Sequence, residues 1–263
     1  MTSLVQIKNV SIDYLRAGRS ASVVRAVRGL SAEIVQNERT VFLGPSGCGK
    51  SSVLSAVAGF VPISDGEICV AGHPVSKPSF ERVMVFQGFD QLLPWKSVVD
   101  NVEFALKARW PKMARHERRE RALHYVTLVG LAGQAEQFPH TLSGGQKQLA
   151  AIARAFALEP DLLLMDEPFG SLDAINRDRM QQELLRIWEE RRTTLVFVTH
   201  DVAEAVRIGH RIIVFSKGPQ SKVREVIDNR CLNDGAATAQ LIDNLRDLLV
   251  PESEMSTVHE EAQ

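Results

Sequence analysis

The amino-acid sequence predicts an α/β fold, in which a mostly parallel sheet is built from strands that alternate with helices. Two observations indicate it. A short apolar stretch, 40–43, runs directly into a glycine-rich loop and then into a helix-compatible stretch, 50–59. Two later apolar runs, 162–165 and 194–198, are each followed by a helical stretch. Continuous apolar runs bounded by turn signals and separated by helices are typical of buried parallel strands.

The stretches on either side of the glycine-rich loop predict an antiparallel β subdomain and further strands. Apolar positions between Val5 and Tyr14 predict a first strand, 16–22 predicts a hairpin loop, and 23–35 predicts one or two returning strands. The remaining short strands are predicted at 67–71, 82–86, 211–215 and 222–227.

The region 88–158 predicts a helical subdomain inserted into the α/β core, because no strand pattern interrupts it. Its second helix, 114–129, places Leu123, Val126 and Val129 on one face. The same helix carries a basic cluster that we expect to be a solvated face, with contact to anionic lipid as the alternative. The cluster consists of Arg115, His116, Arg118, Arg119 and Arg121.

These patterns divide the chain into a large domain, 1–227, a helical extension, 228–250, and an acidic tail, 251–263, expected to be mobile. The extension carries a predicted helix, 236–249. The 263 residues have a net charge of −1, so no attraction to nucleic acid is expected. We expect no membrane-spanning segment and no secretory leader. The three widely spaced cysteines, which fit a reducing cytosol and neither a disulfide framework nor a metal site, are Cys48, Cys69 and Cys231.

The glycine-rich loop, 44–52, is a complete G-x-x-x-x-G-K-S phosphate loop in its strand–loop–helix context, as in P-loop NTPases. Glycines let successive N–H groups point at phosphate oxygens, and the following helix adds its positive dipole end. We expect Lys50 to reach the β- and γ-phosphates and Ser51 to bind Mg²⁺. The predicted nucleotide-binding residues here are Gly44, Pro45, Ser46, Gly47, Cys48, Gly49, Lys50, Ser51 and Ser52.

Four polar residues follow apolar strands and complete the predicted catalytic set. Asp166 ends one strand and is suited to hold Mg²⁺, and Glu167 is the candidate to orient or deprotonate the attacking water. His200 closes another strand and could hydrogen-bond the γ-phosphate. Gln87 follows the strand 82–86, and its amide could coordinate the metal or the water.

Together these residues resemble the nucleotide-binding subunit of ATP-binding-cassette (ABC) transporters, over about residues 4–227. The most specific element is Leu142-Ser143-Gly144-Gly145-Gln146, which matches the LSGGQ signature of that family and opens a helix. The resemblance implies the ABC ATPase fold and nucleotide contacts from Ser143, Gly144, Gly145 and Gln146. It further implies that Tyr14 stacks on adenine, that 171–173 links two ATP sites, and that Gln87 and His200 are the glutamine-loop and switch residues.

The stretch Leu92-Leu93-Pro94-Trp95, followed by Asp100-Asn101-Val102, is similar to importers of the nitrate, sulfonate and taurine group. This resemblance implies an ATPase that powers import of a small anion through a membrane permease, from the cytoplasmic face of the cell membrane. It also implies a head-to-tail dimer with a second copy, which encloses two ATP molecules, and an indirect link to a solute-binding protein. The sequence does not name the solute.

Three alternatives remain open at this point. The chain could serve another ABC importer or an exporter, it could be a non-transport ABC ATPase, or it could bind ATP without hydrolysing it. Non-transport members carry a long coiled coil or a second cassette, and this chain has neither, nor an excess of basic residues. The presence of Glu167 favours hydrolysis over binding alone. One departure from the family pattern is Leu149, where an arginine usually follows the signature. We expect it to weaken packing rather than phosphate binding.

Overall fold

The structure is a computed structural model that describes residues 2–16, 22–88, 91–218, 220–229 and 235–249. The predicted hairpin loop, Cys231 and the acidic tail lie wholly or largely outside these ranges. The strands in chain order are β1 Ser3–Arg16, β2 Ser22–Val35, β3 Arg39–Leu43, β4 Asp65–Val70, β5 His73–Pro74, β6 Arg82–Val85, β7 Leu162–Asp166, β8 Thr194–Thr199, β9 Arg211–Phe215 and β10 Val223–Asp228. The helices are α1 Lys50–Ala58, α2 Val98–Arg109, α3 Arg115–Leu128, α4 Gly144–Ala157, α5 Ala174–Arg191, α6 Val202–Ile208 and α7 Gly235–Leu249.

The chain forms two compact units. The first unit comprises Met1–Lys77 and Val196–Gln263, and the second comprises Pro78–Leu195. The boundary between them therefore falls within strand β8. Among the described residues no helix is both long enough and apolar enough to cross a lipid bilayer.

The first unit contains the predicted antiparallel sheet, with strand order β2-β1-β4-β5. The 23–35 stretch is one strand rather than two, and it pairs with β1 along its length despite several register irregularities. Alternation of side chains in β1 buries Val5 and Ile7, and after a register irregularity Val10 and Ile12 are buried, so a period-two pattern was visible on either side of the irregularity.

The first unit also contains strand β3, whose five residues are all buried. It pairs in parallel with β9, which in turn pairs antiparallel with β10. Helix α1 follows β3 after the phosphate loop and ends at Gly59, a left-handed residue with φ of 85°. A glycine is the usual residue at this position because it has no side chain to clash. The β3–loop–α1 arrangement confirms the predicted strand–loop–helix context.

The second unit combines a parallel pair of strands with helices. Strand β6 pairs in parallel with β7, in register from Arg82 opposite Leu162 to Val85 opposite Met165. Helices α2, α4 and α5 each begin at a polar capping side chain, Ser97, Ser143 and Asp173 respectively. These side chains accept hydrogen bonds from the backbone N–H groups of Asp100, Gln146 and Asn176. Parallel strands joined with helices confirm the α/β class predicted from the sequence.

Helix α3 differs from its prediction in two ways. Val126 and Val129 are buried as predicted, but Leu123 is exposed, and Ala122 and Tyr125 complete the buried face in its place. The basic cluster is not simply solvated either, because several of its arginines pair with carboxylates of the same unit. Arg119 contacts Asp100, Glu103 and Glu136, Arg118 lies 3.9 Å from Glu103, and Arg121 lies 2.8 Å from Glu159.

Candidate functional site

The phosphate loop takes its shape from glycines at positions with positive φ. Gly49, the residue before helix α1, has φ of 97°, and a Cβ atom there would lie 2.8 Å from Val27 Cγ2. Gly47 has φ of 78°, but a Cβ atom there would meet nothing within 4 Å. The loop is therefore packed against β2 at Gly49 and open at Gly47, where a ligand can approach its backbone.

Lys50 lies inside this loop. Its side chain is only 4% exposed, and Nζ donates to the carbonyl oxygens of Gly44, at 2.7 Å, and Pro45, at 2.9 Å. The ammonium group is thus fixed by the backbone of the loop that surrounds it. An ammonium beside the N-terminus of a helix favours the binding of an anion.

Cys48 occupies the buried side of the same loop. Its thiol is fully buried, and burial raises the pKa of the thiol despite Lys50 Nζ at 3.8 Å. The side chain is therefore a neutral packing group, and a contribution of Cys48 to nucleotide binding would come from its backbone.

Two residues that the sequence analysis did not single out support the loop from the β9–β10 hairpin. The fully buried Ser221 hydroxyl donates to the carbonyl oxygen of Cys48. A Cβ atom at Gly218 would lie 2.9 Å from both Cys48 Cα and Gly47 O, so the hairpin backbone packs directly on the loop. No local pattern marks Ser221, because its partner is 173 residues away in the chain.

Tyr14 lies beside the other end of the loop. Its hydroxyl donates to Ser52 Oγ at 3.1 Å, and 40% of the side chain is exposed. The neighbouring Asp13 forms a two-point ion pair with Arg25 on β2, and these hydrogen bonds lower the pKa of the Asp13 carboxyl. The first unit thus brings the predicted adenine-stacking ring next to the loop, with exposed ring surface.

His200, also in the first unit, follows β8 and is exposed. The turn that carries it is fixed by Thr199, whose hydroxyl bonds Glu204 and accepts from the N–H of Asp201 at 3.0 Å. Asp201 in turn caps helix α6 by accepting from the N–H of Glu204 at 3.0 Å. The imidazole therefore stands on a rigid turn at the end of a buried strand.

In the second unit the structure brings Gln87 and Glu167 together. Gln87 Nε2 donates to Glu167 Oε2 at 3.4 Å. A Cβ atom at Gly170 would lie 3.6 Å from each of these two atoms, so a glycine leaves this side open. Glu167 has φ of 40°, an unusual conformation for a residue with a side chain. Asp166 directly precedes it and is the half-buried last residue of β7.

The signature residues form the first turn of α4. Ser143 Oγ accepts from the N–H of Gln146 at 3.3 Å, and Gln146 Oε1 accepts from the N–H of Ser143 at 2.9 Å. This reciprocal capping box fixes the helix N-terminus, where the half-buried Gly144 and Gly145 place no side chain over the backbone. Leu149, at the position of the usual arginine, is buried and makes an apolar contact surface.

The following loop, 171–173, ends at the N-cap of α5. Asp173 accepts from the N–H of Asn176 at 3.0 Å and from its side-chain amide at 2.6 Å. The hydrogen bond from the Asn176 backbone, followed by that from its side chain, lowers the pKa of the Asp173 carboxyl. The loop is therefore tied to the start of a long helix.

Within the described ranges no three His, Cys, Asp or Glu side chains form a group that could hold a metal ion. Mg²⁺ is usually held by one or two carboxylates together with substrate phosphates and water. The predicted ligands Ser51, Gln87 and Asp166 each carry side-chain oxygen atoms, the kind of ligand atom that Mg²⁺ prefers in proteins, so their chemistry suits the ion.

The chain is similar to known ATP-binding proteins of transport systems. The ABC transporter family model matches residues 27–170. The chain is 45% identical to the taurine import ATP-binding protein TauB of Rhizobium johnstonii over 216 residues, which cover 82% of this chain and 80% of that protein. It is 41% identical to the nitrate import ATP-binding protein NrtD of Synechococcus elongatus over 203 residues, covering 77% and 74%.

Among solved structures, the fold is similar to a dimeric ATP-binding cassette in a post-hydrolysis state bound to ADP and Pi. The TM-score is 0.72 at 30% identity, and the match covers 86% of this chain and 99% of that one. A second dimeric structure, of a bacterial ABC transporter cassette, matches with a TM-score of 0.74 at 32% identity and the same coverage.

Proposed function

The chain belongs to the ABC transporter family, and on that premise we propose that it is the ATP-hydrolysing subunit of an importer for a small anion such as taurine, another sulfonate or nitrate. The observation that carries the proposal is the phosphate loop closed around the Lys50 ammonium, in a chain whose relatives are import ATP-binding proteins. The proposal extends to the permease, which would supply the membrane passage.

The chemistry would be in-line attack of water on the γ-phosphate of ATP. Lys50, fixed by two carbonyl oxygens, would bind the β- and γ-phosphates, and Glu167 would orient the attacking water or accept its proton. Gln87, which donates to Glu167, would hold that carboxylate in place, and His200 would hydrogen-bond the γ-phosphate. Mg²⁺, held by Ser51, Gln87 and Asp166, would supply neutralisation of phosphate charge.

The signature residues would act on the nucleotide of a second copy. Two helix starts that can bind anions are present in one chain, namely the phosphate loop at α1 and the start of α4. In a head-to-tail dimer each copy would complete the site of the other, with 171–173 at the interface. ATP binding would close the dimer, and hydrolysis would reopen it and change the access of the permease.

The surface that would contact the permease includes Trp95. Leu92, in the same apolar run, is buried and contributes to packing of the second unit, whereas 70% of the Trp95 side chain is exposed. An exposed indole beside the segment that carries Gln87 fits a protein interface on the cytoplasmic face of the membrane. A solute-binding protein would act on the permease from the other side.

The proposal is tested by two substitutions that affect different steps. Lys50→Ala removes a ground-state phosphate contact and should weaken ATP binding at least tenfold. Glu167→Gln keeps the size of the side chain but removes the carboxylate, so this variant should bind ATP normally and release phosphate at least a hundredfold more slowly. Equilibrium ATP binding and phosphate release by the purified chain measure the two effects.

The unsubstituted chain and Lys112→Ala, a substitution of an exposed residue between α2 and α3 outside the proposed contacts, serve as controls. Normal phosphate release by Glu167→Gln would contradict the catalytic assignment. No phosphate release by the unsubstituted chain, either alone or with its permease, would contradict the proposed function itself.

A further inference from the structure

Gln91 makes an unusual set of contacts at the end of strand β6. Its side-chain Oε1 accepts from the N–H of Phe86 at 2.9 Å. Its Nε2 donates to the carbonyl oxygens of Phe86 and Gly88, each at 2.6 Å. The side-chain amide thus accepts one hydrogen bond from the backbone of Phe86 and donates another to it, as a residue of a neighbouring strand does in a β-ladder.

These contacts lie on both sides of Gln87. Phe86 is the residue after the last position of β6, and Gly88 has no side chain to restrict its backbone. With Phe86 and Gly88 held by a single amide, the backbone of Gln87 has little freedom. Gln87 is also the residue whose amide donates to Glu167 Oε2 at 3.4 Å, a contact at the outer limit for a hydrogen bond.

The backbone of Gln91 is held by helix α4. Arg154 Nη1 donates to the Gln91 carbonyl oxygen at 2.8 Å. The guanidinium group lies largely inside the second unit, and this burial lowers the pKa of Arg154. Because Arg154 and Ser143 belong to the same helical element, a rotation of α4 would move Gln91 along with the signature.

We propose that Gln91 is a positioning residue for hydrolysis: its side-chain amide fixes Gln87 against Glu167, and its link to Arg154 makes that position depend on the orientation of helix α4. The inference rests on the proposed ATPase function. It assigns to Gln91 no contact with the nucleotide, the metal or the water, and its effect on the reaction passes through Gln87.

Gln91→Met tests the proposal because it keeps the length of the side chain and removes all three hydrogen bonds. We expect kcat for phosphate release to fall about tenfold while KM for ATP changes less than twofold, as when an interaction that orients the reacting groups is lost. Gln91→Glu should be at least as slow, since a carboxylate oxygen would face the two carbonyl oxygens. Gln137→Ala, a change of an exposed glutamine on the same unit, is the matched control.

A double-mutant cycle separates positioning from a general structural role. If Gln91 acts through Gln87, then Gln91→Met should cause almost no further loss in a Gln87→Ala background. Thermal unfolding of each variant shows whether the second unit remains folded. Arg154→Lys can still donate one hydrogen bond, so its kcat for phosphate release should lie between that of the unsubstituted chain and that of Gln91→Met.

Full activity of folded Gln91→Met would overturn the proposal. It would also be overturned if Gln91→Met lowered kcat by the same factor in the Gln87→Ala background as in the unsubstituted chain. If Gln91→Met does not fold, Gln91→Glu and Arg154→Lys are each combined with Gln87→Ala instead, and the same comparison of kcat values tests the proposal. These outcomes differ from failure of the proposed function, because in that case the unsubstituted chain itself would release no phosphate.

Discussion

Glu167 holds its carboxylate on a backbone with φ of 40°, in the left-handed region that side chains disfavour. Such strain costs roughly 1–2 kcal/mol and persists only where surrounding structure imposes it. Here the imposed turn follows a buried strand, and the N–H of Gly170 donates to the carbonyl of Glu167 at 3.1 Å. The turn directs the carboxylate toward Gln87 at the expense of stability.

Two substitutions measure this strain. Both Glu167→Gly and Glu167→Ala remove the carboxylate, but only glycine relaxes at positive φ. We therefore expect Glu167→Gly to be more stable than Glu167→Ala by about 1 kcal/mol, although both should be inactive. Urea unfolding of the two proteins gives the difference. Equal stabilities would show that the backbone of Glu167 is not strained in solution.

At the scale of elements, helix α2 fixes the segment that follows the glutamine loop. The fully buried Asn101 accepts from the N–H of Leu93 at 2.7 Å and donates to the carbonyl oxygens of Leu93, Lys96 and Ser97 at 3.2, 3.1 and 2.9 Å. Trp95 stands in the segment held by this amide. The indole of Trp95 is therefore exposed from a loop whose backbone is held in place by hydrogen bonds.

This arrangement separates two variants of the same segment. Trp95→Ala should change the free energy of unfolding by no more than about 0.5 kcal/mol, since the ring is mostly exposed, but it should reduce recovery of the subunit with membranes that contain its permease. Asn101→Leu leaves backbone groups unpaired and should cost about 2 kcal/mol of stability. Urea unfolding and membrane co-sedimentation are the measurements. Early unfolding of Trp95→Ala would assign the indole to packing instead.

The contrast between predicted and unpredicted residues follows from how local each interaction is. The places of Lys50 at the start of α1, Ser143 at the N-cap of α4 and Asp166 at the end of β7 were predictable because they depend on motifs a few residues long. Gln91 and Ser221 were not, since each bonds backbone groups whose positions only the folded chain defines.

The error at α3 has a related cause. The helical period correctly indicated an amphipathic helix with Val126 and Val129 buried. It did not show that Ala122 and Tyr125, and not Leu123, complete the buried face. The strand order of the antiparallel sheet and the single long β2 likewise depend on pairing between distant segments, which residue patterns do not specify.

At the scale of the whole molecule, the central question is how two copies meet. If the signature of one copy completes the phosphate site of the other, then residues of these two elements should be crosslinked between chains. Cys48 is unsuited as the reactive group because its thiol is fully buried, whereas Ser46 in the same loop is exposed. Ser46→Cys is therefore the substitution to combine with Ser143→Cys.

Both cysteines should be introduced in a Glu167→Gln chain whose Cys48, Cys69 and Cys231 are replaced by serine, and treated with a series of short thiol linkers. We expect a covalent dimer that increases with Mg-ATP and disappears when either new cysteine is omitted. Gel electrophoresis detects the dimer, and mass spectrometry of the monomer detects any linker within one chain. A linker that forms only within single chains would refute the crossed-site dimer.

The contact between Ser221 and Cys48 has a consequence for folding during synthesis on the ribosome. The two residues are 173 positions apart, and strand β3, which leads into the phosphate loop, pairs with β9 from the same late part of the chain. A ribosome adds about 5–20 residues per second, so the loop is made on the order of ten to thirty seconds before its supports exist. Nucleotide can therefore bind the folded phosphate loop only once synthesis is nearly complete. A chain truncated before Ser221 would contain the whole phosphate-loop motif, but the loop would lack its final conformation.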